Sequence, residues 1–251
     1  MKKMIKSILL GYVLLTPICI DADGPAGEEI NMLFIGNSFT ARHHLPLLVK
    51  KVIEEGNPGL TVHVQPLTYG GQDLFKYWTY YFSQSFVEQS TITNAIIDQR
   101  IRKMEGFLKV DSDPDEYVNF YKIVRPEKKW KPFSSIHKTI KAAINRHRQL
   151  LKDNPRIKWD YIVLQSWLDI CLSPDDGYAK YAARFADVAK AHAAKVILYI
   201  TAAGIQNAEP VKTPLLPEKV AAEIRCVKMQ EKRIDAFAVV PVPLAINMIQ
   251  E

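Results

Sequence analysis

The amino-acid sequence predicts an α/β fold built on a mainly parallel sheet. Three observations carry this. Continuous apolar runs such as "EINMLFIG" read as strands buried on both faces. Between such runs lie stretches whose apolar residues recur at helical spacing. The two kinds of segment alternate along the chain, which is the order of βαβ units. At 251 residues, 48% apolar and 24% charged, the chain has the size and balance of one globular domain with a sizeable core. No internal repeat or linker divides it.

"EINMLFIG" ends in a glycine and forms the first strand. "HHLPLLVKKVIEEGNPG" follows as a helix, with Leu45, Leu48, Val49, Val52 and Ile53 on one face and Gly56 and Pro58 as stop signals. "LTVHVQPL" alternates and reads as a second strand. The aromatic-rich "DLFKYWTYYFSQSFVEQ" reads as helical, and the mixed-charge, proline-bearing stretch 111–132 as a loop or insertion. "SSIHKTIKAAINRHRQLLKDNP" is a helix with Ile136, Ile140, Ala143, Ile144 and Leu151 on its apolar face, capped by Ser134 or Ser135. Its histidines, His137 and His147, are expected to face solvent. "WDYIVLQ", "KVILYIT" and "DAFAVVPV" are strands. "DDGYAKYAARFADVAKAHAA" and "PEKVAAEIRCVKMQEKR" are the helices between them, and "PLAINMIQE" is a helical start.

The chain opens as an export signal over residues 1–22. Lys2, Lys3 and Lys6 precede the apolar core "ILLGYVLLTPICI", and Ala22 is a small residue at a plausible cleavage point. The apolar run holds Pro17 and falls short of the roughly 20 residues that span a bilayer. The expectation is export to a periplasmic or extracellular location, with no stable membrane insertion after cleavage. Cleavage would remove three lysines and Asp21, leaving a mild basic excess that is no argument for nucleic acid. The run "RPEKKWK" interleaves basic and aromatic residues and reads as a solvated loop. Cys171 and Cys226 survive cleavage and are read as unpaired thiols, though an oxidising compartment would let them pair. No cysteine or histidine spacing resembles a zinc site, and no metal or cofactor is expected.

In open α/β sheets ligands bind beyond the carboxyl ends of the strands. There the chain carries "GNS", "YGGQD" and "LQS". Ser38 sits where strand turns to helix, as a nucleophile beside unpaired N–H groups or simply as the helix cap. Gly70 and Gly71 would let a backbone N–H approach an oxyanion, or make an ordinary turn. The Gln165 amide would donate to the same oxyanion, or satisfy a loop. His43 and His44 follow Ser38 closely; they read as an exposed first turn, with a substrate-facing role open for one of them.

These three blocks together resemble the SGNH (GDSL-like) hydrolase superfamily, in the branch with a G-N-S-F-T first block where Asn37 replaces the usual aspartate before the serine. "FIGNSFT" is similar to its first block, "YGGQDL" to its second and "WDYIVLQS" to its third, with Gln165 in the place of an asparagine. The resemblance runs from about residue 30 to the end, leaving residues 78–132 unmatched. It implies a flavodoxin-like three-layer sandwich around a parallel sheet of about five strands in the order 2-1-3-4-5, spanning residues 28–251. It also implies metal-free ester hydrolysis. Ser38 would attack, and the N–H groups of Ser38 and Gly71 with the Gln165 amide would hold the oxyanion. Loss of one such donor costs about 3 kcal/mol of transition-state stabilisation. Asn37 and His44 would contact substrate. The substrate class it suggests is a small-molecule or polysaccharide ester, an acetylated carbohydrate above all, with Trp78, Tyr80, Tyr81 and Phe82 either stacking sugar or packing a helix.

A serine hydroxyl needs a base. The family places it in a D-x-x-H block near the C-terminus. No such block follows "DAFAVVPV", and the last histidine is His192. The expectation is that the C-terminal part of the domain is missing and the esterase impaired. The alternative is a non-catalytic carbohydrate-binding protein on the same fold. A flavin or nucleotide binder is disfavoured, since the first turn lacks a glycine-rich phosphate loop.

Overall fold

The computed structural model describes residues 27–126, 130–168, 170–171, 175–201 and 217–242. The leader expected over residues 1–22 and the helical start at 243–251 lie outside them. Five strands form one sheet in the order β2-β1-β3-β4-β5: β1 (Glu29–Gly36), β2 (Thr61–Thr68), β3 (Tyr161–Leu164), β4 (Lys195–Ile200) and β5 (Ala238–Pro241). Every pairing is parallel. Met32 stands opposite Tyr161 and Ile35 opposite Leu164, while Glu29 to Gly36 run in register with Thr61 to Thr68. All carboxyl ends therefore lie at one edge.

Period-2 alternation divides the sheet's side chains between two cores. Leu33, Ile35, Ile162, Leu164, Val196 and Leu198 face a large core. Met32, Phe34 and Val163, with Ile30 and Val62, face a small one. The small core is covered by α2 (Leu45–Gly56), whose Val49 and Ile53 pack on it. Leu48 and Val52, expected on the same face, are 52% and 61% exposed. The face turned to β2 carries charge instead. Lys50 donates to the Val62 carbonyl at 2.6 Å, and Glu54 accepts from the Val62 N–H at 2.8 Å. β2 is an edge strand, so these side chains occupy main-chain groups that would otherwise recruit another strand.

The large core gathers the remaining helices, and it absorbs the segment expected as an insertion. α3 (Leu74–Thr79) buries Tyr77, α4 (Gln84–Val87) buries Phe86, and Tyr80 and Tyr81 are buried between them. The aromatic run thus packs the core and does not form a sugar wall; Trp78 sits edge-on to Phe185. α5 (Asn94–Phe107), which the sequence reading did not anticipate, is capped by Thr93 and buries Ile97, Ile101 and Met104. The stretch read as a loop contains α6 (Asp115–Val124). Asp115 and Glu116 suit the positive end of its dipole, and Tyr117, Phe120, Tyr121 and Val124 make a buried stripe. α7 (His137–Asp153) begins after a 3₁₀ turn at Phe133–Ile136, and neither Ser134 nor Ser135 caps it. Its buried stripe is Ile140, Ala143, Ile144, His147 and Leu150, with Leu151 only half-buried. α8 (Tyr178–Ala191) and α9 (Pro217–Ile234) complete the layer. The result is a three-layer α/β fold of the expected strand order.

Cys171 and Cys226 form a disulfide, contrary to the reading of unpaired thiols. It ties the segment after β3 to α9 across 55 residues of sequence, with the Cα atoms 6.0 Å apart. Sequence spacing alone carries no sign of that proximity.

Candidate active site

The chain leaves β1 through Gly36, and this position tolerates no side chain. A Cβ there would lie 2.2 Å from the Thr40 Oγ1 and 2.9 Å from the Gln165 Oε1. The Gly36 carbonyl accepts from the Tyr69 N–H at 3.1 Å and from the Tyr77 hydroxyl, binding the ends of β1 and β2 together. Burial pushes the Tyr77 hydroxyl well above the usual phenol range, so it stays a neutral donor.

Asn37 is wholly buried and caps α1 (Ser38–Ala41). Its side-chain oxygen accepts from the Phe39 N–H at 3.0 Å and its amide donates to the Gln72 carbonyl at 3.0 Å. Its own N–H donates to the Gln165 Oε1 at 2.8 Å. Asn37 was expected to contact substrate; it is wholly buried, and the bonds its side chain makes hold the turn itself.

Gln165 is also wholly buried, and its amide is fully engaged. Oε1 accepts from Asn37 N–H and from the Thr40 hydroxyl at 3.2 Å. Nε2 donates to the Ser166 carbonyl and to the Thr201 hydroxyl at 2.9 Å. An amide has two N–H donors. Both are used, so none is left for an oxyanion, and the expected third donor is instead the pin that joins the ends of β1, β3 and β4. Ser166 extends the same network, accepting from the Leu74 N–H at 3.2 Å.

Two expected groups stay available. Ser38 is half-buried, and its hydroxyl makes no hydrogen bond among the described residues. Its N–H occupies the first helical position, where no intrahelical acceptor exists. Gly71 is exposed at φ +66°, a left-handed conformation suited to glycine, and its N–H is unbonded among the described residues. Asn37 holds the two turns together, since it precedes Ser38 and bonds the residue after Gly71.

His43 and His44 are exposed, with φ of 52° and 53°. Two consecutive non-glycine residues in the left-handed region are a costly turn immediately after the serine helix. The other histidines stand elsewhere. His63 on β2 faces Glu29 at 3.6 Å, and His192 ends α8. His147, expected in solvent, is buried. Its Nδ1 donates to the Ala143 carbonyl at 2.9 Å, and its Nε2 accepts from the Ser85 hydroxyl at 2.9 Å. Ser85 in turn accepts from Arg100 at 2.8 Å. Burial lowers the His147 pKa to about 4, so the ring is neutral and structural.

A cavity of about 390 Å³ opens beside Gly71 and Gln72. Arg125, Trp130 and Lys131, from the two ends of the "RPEKKWK" run, line it, and Pro126 and Lys131 are exposed as expected of a solvated loop. Trp167, just beyond β3, closes another side.

No family model matches the chain, and no curated protein matches it. Among solved structures, a protein from Slackia heliotrinireducens, provisionally named an SGNH hydrolase, is similar over 87% of this chain and 83% of its own, with 15% identity and a TM-score of 0.43. Likeness at that level assigns no role to any residue here.

Proposed function

We propose that this chain is a serine ester hydrolase of the SGNH type, acting on an acetylated carbohydrate. One observation carries the reading: Ser38 presents an unpartnered hydroxyl on a turn locked to Gly71–Gln72 and to Gln165. Ser38 is the attacking oxygen. The N–H groups of Ser38 and Gly71 stabilise the tetrahedral oxyanion, and Gln165 acts through Asn37 as a positioning residue. His44, exposed near the serine, faces the substrate. The Cys171–Cys226 disulfide supports the export that this reading includes, since such bonds persist in oxidising compartments.

Turnover should be slow. Among the described residues no histidine ring bonds Ser38, and an oxyanion site without its base retains on the order of 10³–10⁴-fold over water. The committed Gln165 amide favours a second reading, a non-catalytic carbohydrate-binding protein on the same fold. Hydrolysis of p-nitrophenyl acetate separates the two. The hydrolase reading expects turnover above buffer that Ser38→Ala abolishes. Turnover equal in both proteins, or none in either, sinks it, and sugar binding that survives Ser38→Ala with no turnover establishes the second.

A further inference from the structure

The charge that the described residues bring to the cavity beside Gly71 is one-sided. Among them the lining includes Lys76, Arg125 and Lys131 and no aspartate or glutamate. The three cations differ in how they are compensated. Lys76, 6% exposed, gives its ammonium to the buried Asp73 at 2.8 Å and lies over the Tyr121 ring. Its charge is matched from beneath. Arg125 and Lys131 have no ion pair among the described residues.

Arg125 is also oriented. Its guanidinium lies over the Trp167 ring, 3.9 Å from the centroid, and its backbone N–H donates to the Tyr121 carbonyl at 2.9 Å. Stacking holds the plane and leaves the edge donors free. One of them, Nε, is buried with no acceptor in the described protein. Lys131 is fixed from its main chain, where the Tyr117 hydroxyl donates to its carbonyl at 2.9 Å. Trp130 and Trp167 add flat apolar faces.

We infer that this cavity is a subsite for a carboxylate-bearing sugar, a uronic acid unit of the ester substrate. A planar carboxylate matches the two-pronged edge of Arg125, and a pyranose face suits an indole. The volume lies within the range of small-molecule sites. The subsite lies one residue from the serine turn, because Gln72 lines it and its carbonyl accepts from the Asn37 amide. The substrate of the reading above thus becomes the ester of an acidic polysaccharide. The inference rests on that reading for the word substrate, while binding itself does not.

The test is therefore a titration that needs no turnover. The full chain carrying Ser38→Ala is titrated calorimetrically at low salt with a galacturonic acid trimer, its methyl-esterified form and a 6-sulfated galactose trimer. The acid should bind about tenfold or more tightly than the methyl ester. Arg125→Gln should erase that preference; Lys131→Gln, with no packed ring to lose, should reduce it even if Arg125→Gln fails to fold. Equal binding of acid and ester, no binding of the acid, or a preference unchanged in both variants overturns the inference. Equal affinity for the sulfated trimer overturns the carboxylate assignment. Selective acid binding in a chain whose Ser38 proves silent toward esters would retain the subsite and remove the hydrolase.

Discussion

Replacing Gln165 by leucine separates a positioning role from an oxyanion role. Leucine is similar in bulk but has no polar atoms, so four groups lose their partner at once: the Asn37 N–H, the Thr40 hydroxyl, the Ser166 carbonyl and the Thr201 hydroxyl. Asn37, Thr40, Ser166 and Thr201 are all buried, so water does not readily take over. Each orphaned buried group costs about 1–3 kcal/mol, and the two hydroxyls can turn to other acceptors. The total expected is about 3–5 kcal/mol. In urea unfolding this appears as a lower midpoint at an unchanged slope. In a thermal scan a chain of this size should lose about 10 °C. A residue that merely donated to the oxyanion would lower turnover and leave the midpoint alone. A Gln165→Leu protein as stable as the parent, with hydrolysis reduced, would refute the bonding pattern described for the amide and restore Gln165 as a third donor.

Reducing the Cys171–Cys226 bridge should cost about 4 kcal/mol by the loop-entropy relation for 55 residues, read as the shift in urea midpoint between oxidised protein and protein in dithiothreitol. His147 makes stability depend on acid. Its folded pKa of about 4 lies below the ordinary value of 6.5, so the buried neutral ring contributes fully above pH 6.5, and that contribution falls away as pH drops toward 4. The loss should reach about 3 kcal/mol, and His147→Gln should flatten this part of the stability–pH curve, whatever it does to the plateau.

The sheet was legible because its strands are continuous apolar runs that end in turn residues. "EINMLFIG" coincides with β1, and the strand order is the one that the family resemblance implied. The helices around the large core were harder. α6 was hidden by prolines and charges at its flanks, although its Tyr117–Phe120–Tyr121–Val124 stripe has helical period. On α2 periodicity named five facing residues, but the edge strand needed Lys50 and Glu54 there, a requirement set by neighbouring backbone and invisible in a single segment. The site divided the same way. The positions of Ser38 and Gly71 on turns at strand ends followed from turn chemistry. The bonds of Asn37 and Gln165 depend on partners up to 128 residues away, and polar residue type alone does not distinguish holding a turn from holding a ligand.

The two cores flanking the sheet are unequal, and Ser38 begins the segment that leads from β1 to the helix over the smaller one. β1 lies mid-sheet, paired on both sides, while α2 rests on a core of five buried side chains. Local opening draws first on segments with little apolar cover. Amide protons of β1 should then exchange only with global unfolding, and those of α2 by a shallower excursion that the twin left-handed histidines ease. A β1 that outlasts α2 would keep the Gly36–Ser38 turn in place while the segment that follows it opens.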